Sequence, residues 1–237
     1  MIIKDNTPYI NELYKKLRNN IQYSSIKKDI KSVLITSAKK GEGKTTVAVN
    51  LAISMAKSGK KTLLIDLNLI NPNIHNLFNI PDLFNMPNGI GMLRTRKEEN
   101  GIDLCGVKSS INNLYILPSG SNTYDSEVYI TDEMIRLLEE VKEKYDFVVI
   151  DTPDITHFSD VQVISQYVDG CILVIRAEQT RKEELKRTKE LLQRVNVQII
   201  GSVLNRVINN KEYEAYYNKQ KKNLKTNCCS RNSKKGK

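Results

Sequence analysis

The residues best equipped for chemistry lie in the stretch SAKKGEGKTT, Ser37 to Thr46. Gly41 and Gly43 let backbone N–H groups curl toward an anion with no Cβ in the way, and a helix beginning just after them adds partial positive charge at the same place. Lys44 can then reach the β- and γ-phosphates of a nucleotide, and the Thr45 hydroxyl can ligate Mg²⁺. Lys39, Gly41, Glu42, Gly43, Lys44, Thr45 and Thr46 are therefore the candidate nucleotide contacts. The spacing departs from G-x-x-x-x-G-K-[ST] at one position, where Ala38 stands for the first glycine. The apolar run Val33-Leu34-Ile35 precedes the loop and Ala48, Ala52 and Ala56 follow at helical spacing, which is the strand, turn and helix that a phosphate loop requires.

A magnesium nucleotide also needs carboxylates nearby, and two strand ends offer them. The run LLIDLNLINP places the oxygen donors Asp66 and Asn68 at one tip, and Asp151 closes the run Phe147 to Ile150 at another. Together with Thr45 these are the candidate metal ligands, with Lys44, Asp66 and Asp151 as the catalytic set. An aspartate at a strand tip can instead cap the following helix, which is the better reading of Asp160. His75 and His157 have no ligand-like companions and read as surface residues or supports behind the site. No H-R-D or D-F-G signature is present, so phosphoryl transfer would run on the phosphate loop alone.

These tips must be held by a sheet. Continuous apolar runs at Ser32 to Thr36, Thr62 to Asp66, Leu114 to Leu117, Phe147 to Asp151, Ile172 to Ile175 and Ile199 to Leu204 predict strands buried on both faces, hence a mainly parallel sheet covered by helices. Helical periodicity fills the gaps, over Asp132 to Lys144 behind a Thr131 cap and over Lys182 to Val195. The fold class is α/β, doubly wound, with its ligand site at the carboxyl ends of the strands. Residues 72–113 are the least regular and read as a surface excursion near that site. Ahead of the first strand, Thr7-Pro8 starts an amphipathic helix with Ile10, Leu13, Tyr14, Leu17 and Ile21 on one face, which must pack on its own domain or on a neighbour's. The division is an N-terminal arm at 1–31, a phosphate-loop domain at 32–209 and a tyrosine-bearing, Lys-rich tail at 210–237.

The chain has 237 residues and a net charge of +10, but the charge is not spread evenly. Eight basic and no acidic residues follow from Lys219 onward, residues 1–31 carry +4, and the body between is left at −2. A near-neutral body speaks against nucleic-acid binding by the fold; the basic ends suit an acidic partner or an anionic membrane surface, or are simply solvated tails. No apolar run is long enough to span a membrane and the N-terminus lacks a signal-peptide core, so the expected location is the cytoplasm, with the membrane reached only through a partner. Of Cys105, Cys171, Cys228 and Cys229, Cys171 opens the run CILVI and reads as a small buried hydrophobe. None shows a metal spacing or a disulfide framework, which fits a reducing compartment.

With loop and carboxylates in place, the sequence resembles the bacterial tyrosine kinases of capsule and exopolysaccharide synthesis, in the form of the Gram-positive cytoplasmic kinase subunit, within the wider deviant Walker A superfamily. The resemblance rests on SAKKGEGKTT as Walker A, LLIDLNLINP as Walker A′, YDFVVIDTPD as Walker B, GSVLNRV as the last strand, ELYKKLRNNIQYS as the subunit-association helix, and Tyr213, Tyr216 and Tyr217 as the terminal tyrosine cluster. It implies ATP and Mg²⁺ as cofactors, Lys44 on the phosphates, Thr45 on the metal, Asp151 on the metal's water shell, and Asp66 as ligand or as base for the incoming tyrosine hydroxyl. It further implies adenine contact by Asn205, autophosphorylation of the terminal tyrosines between subunits of a homo-oligomeric ring, interface roles for Glu12, Lys15 and Arg18, protein tyrosine substrates, and stimulation by a membrane-embedded activator of the chain-length type.

Three features depart from the family pattern: Asn68 and Ile70 stand where a second aspartate and an arginine are usual, the terminal tyrosines are few, and Lys39 matches the cross-subunit lysine of partition and cell-division (ParA/MinD-like) ATPases. Two alternatives therefore stay open beside the kinase: an ATPase switch working by nucleotide-dependent dimerisation, and a weakly active nucleotide-binding scaffold of the polysaccharide machinery.

Overall fold

A computed structural model describes residues 8–25, 29–80, 90, 106–120, 131–157 and 160–207. The terminal tyrosines, Thr7, Cys105, Cys228 and Cys229 lie outside the described residues. The runs of apolar residues form strands β1 (Ser32–Ser37), β2 (Thr62–Asp66), β3 (Val107–Lys108), β4 (Leu114–Leu117), β5 (Phe147–Asp151), β6 (Gly170–Arg176) and β7 (Ile199–Asn205). They make one sheet in the order β3-β4-β2-β5-β1-β6-β7, parallel throughout except for β3 against β4. Between them run helices α1 (Pro8–Ser25), α2 (Lys44–Lys57), α3 (Ile74–Leu77), α4 (Asp132–Lys144), α5 (Asp160–Ser165) and α6 (Lys182–Arg194).

Alternate residues of one strand serve opposite cores, which is why the runs are continuous. Leu34, Ile65, Val148, Ile150 and Cys171 pack with Met134, Leu137, Leu138 and Val141 of α4 and Leu192 of α6. Val33, Ile35, Leu64, Val149 and Ile172 face Val47, Leu51 and Met55 of α2 and Ile21 of α1. Helix α4 begins at Thr131, whose hydroxyl accepts from Met134 N at 3.2 Å, with Asp132 and Glu133 in its first turn complementing the dipole. Burial pushes the Cys171 thiol up to about 12, so this cysteine is an inert core group.

Two expectations need correction. The last strand is not covered on both faces: β7 is the sheet edge, Gly201 and Ser202 are exposed and Leu204 is 59% exposed. Nor is the irregular region all surface, because Ile90 is fully buried and its N–H donates to Pro118 O at 3.2 Å, while β3 adds an antiparallel edge strand.

Helix α1 is half covered. Ile21 is buried against α2, Leu17 packs beside it, and burial pushes the Tyr14 phenol up to about 12 against a hydrogen bond with Asn50. Arg18 Nη1 donates to Ser54 O of α2 at 3.1 Å, so this candidate interface residue is already held within its own chain. Lys15 and Glu12 pair with each other at 2.6 Å in the open, an arrangement worth little to stability. Ile10 and Leu13, at 39% and 38% exposure, leave the first turns of the apolar face uncovered.

Candidate active site

Strand β1 delivers the chain to the phosphate loop, and two glycines make the loop's turn possible: Gly41 has φ +83° and Gly43 φ +100°. At Gly43 the freedom is doubly required, since a Cβ there would lie 1.9 Å from Asn205 Nδ2. Asn205, at the end of β7, donates through that nitrogen to Glu42 O at 2.8 Å. It therefore braces the loop from outside.

Lys44 opens α2 with its ammonium turned back under the loop, donating to Ser37 Oγ at 2.9 Å and to Lys39 O at 3.3 Å. Burial lowers its proton affinity, while the charges of Asp151, Asp154 and Glu42 hold it up. Beside it Thr45 Oγ1 donates to Asp151 Oδ2 at 2.6 Å. Thr46 starts the exposed side of α2 and accepts through its carbonyl from Asn50 Nδ2 at 2.8 Å.

Glu42 is buried, and its side chain does structural work: one oxygen accepts from Lys39 N at 3.1 Å and the other from the Thr180 hydroxyl. What Glu42 offers a ligand is its backbone, as P-loop geometry requires. Arg176 Nη1 donates to Gly41 O at 3.4 Å from the end of β6. Lys39 reaches away from the loop and pairs with Glu184 Oε1 of α6 at 2.5 Å, which lowers the Glu184 carboxyl below its ordinary value.

The two strand-tip aspartates are register partners on adjacent parallel strands, β2 and β5. Both are buried, but they are occupied differently. Asp66 Oδ1 accepts from Asn68 N at 3.1 Å, and Oδ2 accepts from Asn73 N at 3.2 Å and Ile74 N at 3.1 Å. Its carboxylate thus caps the turn into α3, the role considered above for strand-tip aspartates. Asn68 in turn accepts through Oδ1 from Asn71 N at 3.3 Å. Asp151 has Thr45 on one oxygen and, among the described residues, no partner for the buried Oδ1. Burial and the neighbouring Asp66 charge raise the Asp151 carboxyl well above the usual carboxylate range, outweighing Thr45 and Lys44. Burial also raises Asp66, with its three N–H donors pulling the other way.

An orphaned buried carboxylate oxygen next to a hydroxyl is what a divalent cation would satisfy. Among the described residues no group of three or more His, Cys, Asp or Glu could hold a metal alone, which fits an ion that takes one or two protein oxygens and completes its shell from phosphates and water. Thr45 and Asp151 fit that task; Asp66 and Asn68 have their oxygens on backbone N–H groups.

Several supporting residues were not singled out from sequence. Ser37 and Asp154 stand inside quoted motifs, yet the hydrogen bond from Lys44 to Ser37 and the action of the Asp154 charge on that ammonium are visible only in space. Thr180, Arg176 and Glu184 contact the loop across more than 130 residues of chain, with no local signal.

A family profile described as an AAA domain matches residues 30–208. The tyrosine-protein kinase YwqD of Bacillus subtilis (strain 168) is 34% identical over 195 residues, covering 82% of this chain and 80% of that protein. Among solved structures, the chimerical protein CapA2B2 superposes with a TM-score of 0.76 at 30% identity, covering 88% and 90% of the two chains. The kinase domain of the Escherichia coli tyrosine kinase ETK also reaches 0.76, at 28% identity over 84% and 76%. The Pyrococcus horikoshii septum site-determining protein MinD, complexed with Mg-ADP, reaches 0.60 at 25% identity over 74% and 70%. The fold is thus common to both groups, and the kinase domains lie nearer. Among the described residues no helix is long and apolar enough to cross a membrane.

Proposed function

This chain belongs to the family of bacterial tyrosine-protein kinases built on the phosphate-loop fold, and on that premise we propose that it transfers the γ-phosphoryl of ATP to tyrosine side chains, including its own Tyr213, Tyr216 and Tyr217. The observation that carries this reading is the convergence, at the mouth of one phosphate loop, of Lys44, Thr45 and the Asp151 oxygen that has no partner among the described residues.

Lys44 exchanges Ser37 Oγ and Lys39 O for phosphate oxygens, so the ammonium's partners are replaced and not lost. Gly41 to Thr45 present backbone N–H groups to the phosphates with the α2 dipole behind them. Thr45 and Asp151 hold Mg²⁺, which supplies charge neutralisation on the phosphates when bound. Asp66 keeps the β2 tip in place beside Asp151, and Asn205 braces the loop on the side proposed for the adenine. Phosphoryl transfer of this kind relies on positioning and charge stabilisation, and the buried site raises the worth of each charge.

The tail tyrosines are phosphorylated between neighbouring subunits of a homo-oligomeric ring. The uncovered Ile10–Leu13 end of α1, with Glu12 and Lys15 beside it, supports that association. A membrane-embedded activator of a capsule or exopolysaccharide system recruits the chain from the cytoplasm and stimulates it. The ATPase-switch reading would send Lys39 across a dimer, whereas here its ammonium pairs with Glu184 of its own chain.

Incubating the purified chain with labelled ATP and Mg²⁺, with and without the cytoplasmic tail of a candidate membrane partner, tests this directly. Label on the tail tyrosines that vanishes in Lys44→Met supports the kinase. Free phosphate without protein label supports the switch, and nucleotide binding without turnover the scaffold.

A further inference from the structure

Between Gly41 and Gly43 stands one residue with a side chain, the buried Glu42, 3% exposed. Two glycines at positive φ give the loop its turn, but they also leave its backbone free, and a segment that is not already shaped must be ordered when a ligand arrives. Glu42 is the handle by which the rest of the chain can hold it. A carboxylate beside a phosphate site repels the ligand's charge, so its value there lies in what it grips and not in ligand contact.

The grip comes from the ends of β6 and β7. After β6 the chain turns through Glu178, at φ +61°, and Arg176 N donates to Thr180 Oγ1 at 2.9 Å. The Thr180 hydroxyl then donates to Glu42 Oε1, because a carboxylate can only accept. The other Glu42 oxygen accepts from Lys39 N at 3.1 Å, so one side chain ties the turn after β6 to residues 39 and 42 of the loop. On β7, Asn205 is the register partner of Arg176 and donates to Glu42 O at 2.8 Å, while Arg176 Nη1 reaches Gly41 O at 3.4 Å. A trans peptide sets its C=O and N–H in opposite directions, so holding these two carbonyls turns the Glu42 and Gly43 N–H groups away from the donors that hold them. Backbone N–H groups of this kind are what a phosphate loop offers its anion.

We propose that Thr180 is a positioning residue for the phosphate loop, acting through the Glu42 carboxylate to keep the loop in its phosphate-binding shape before a nucleotide enters. The proposal rests on the nucleotide-binding part of the kinase reading given above. Without the Thr180 hydroxyl, Glu42 Oε1 loses its donor and the ordering of Gly41 to Gly43 falls on the binding step. Once bound, the phosphates hold the loop themselves, so the loss appears in affinity and not in the transfer step.

The test measures ATP binding to the full chain with Mg²⁺ by calorimetry, with a melting curve for each protein, in wild type, Thr180→Ser, Thr180→Val, Glu42→Ala and the double variant. Thr180→Val should weaken binding by about 10-fold, the size of one hydrogen bond to a charged group, whereas Thr180→Ser keeps the hydroxyl and should stay within about twofold of wild type. Adding Thr180→Val to Glu42→Ala should cost no more than about a further twofold, since the partner is already gone. With labelled ATP and a synthetic glutamate–tyrosine copolymer, Thr180→Val should raise KM for ATP by about 10-fold and leave kcat within about twofold. Should Thr180→Val not fold, Thr180→Ala removes the same hydroxyl and should give the same loss. A folded variant without the hydroxyl that binds ATP as wild type does overturns the proposal, as do losses that multiply in the double variant or an equal loss in Thr180→Ser. Wild type that binds ATP but labels no tyrosine removes the kinase reading while the binding measurements still decide the role of Thr180; wild type that binds no ATP removes both.

Discussion

The tips of β2 and β5 carry the same residue, at the same depth, in the same register, and do opposite things. Asp66 accepts from the Asn68, Asn73 and Ile74 N–H groups, with both oxygens engaged, and turns the chain into α3. Asp151 keeps one buried oxygen without a partner among the described residues, beside the Thr45 hydroxyl. A buried carboxylate is costly unless its lone pairs are used, so the chain spends Asp66 on its own folding and leaves Asp151 for something that arrives later. Motif spacing treats the two alike; hydrogen-bond accounting separates them.

Substitutions can break that comparison, beginning with the largest effect. Asp151→Asn should cost about 100-fold or more in phosphoryl transfer, because an amide is a poor partner for Mg²⁺, while leaving the fold intact. Labelled-ATP assays beside melting curves give both quantities. Asp66→Asn should do the reverse: an amide offers one acceptor oxygen to three N–H donors, so stability should fall by about 1–3 kcal/mol in denaturant titrations, with a smaller loss of activity.

Acidity sharpens the contrast further. Burial and Asp66 raise the Asp151 carboxyl in the folded chain above its unfolded value, so the folded state binds the extra proton. In metal-free protein this favours folding below the ordinary carboxylate range and is lost as pH rises through the raised value. The melting temperature in EDTA should therefore fall with increasing pH across that window, and the slope should flatten in Asp151→Asn. A wild-type profile as flat as that of the variant would contradict the cause assigned to the shift.

Most of the sheet was legible because strands buried on both faces need apolar residues at every position, and β2, β4 and β5 match their expected bounds residue for residue. β3 was not, being two residues long inside an irregular region, and β7 carries the same apolar letters at an exposed edge. In the site, Lys44, Thr45 and Asp151 could be located because a phosphate loop and a strand-tip carboxylate have fixed local context. The Glu42–Thr180, Asn205–Glu42 and Lys39–Glu184 contacts could not, since they join residues 138, 163 and 145 apart through tertiary packing alone. The Asp154–His157 pair is local, three residues apart on one turn, but a lone histidine in sequence does not show which carboxylate it faces. The tyrosine cluster lies outside the described residues.

The most direct measurement is the affinity for ATP with and without Mg²⁺, by calorimetry, in wild type, Asp151→Asn and Asp66→Asn. Mg²⁺ should tighten binding in wild type and in Asp66→Asn but make little difference in Asp151→Asn. Magnesium dependence that survives in Asp151→Asn, or disappears only in Asp66→Asn, would place the metal on the other strand tip and contradict the division of labour between the two aspartates.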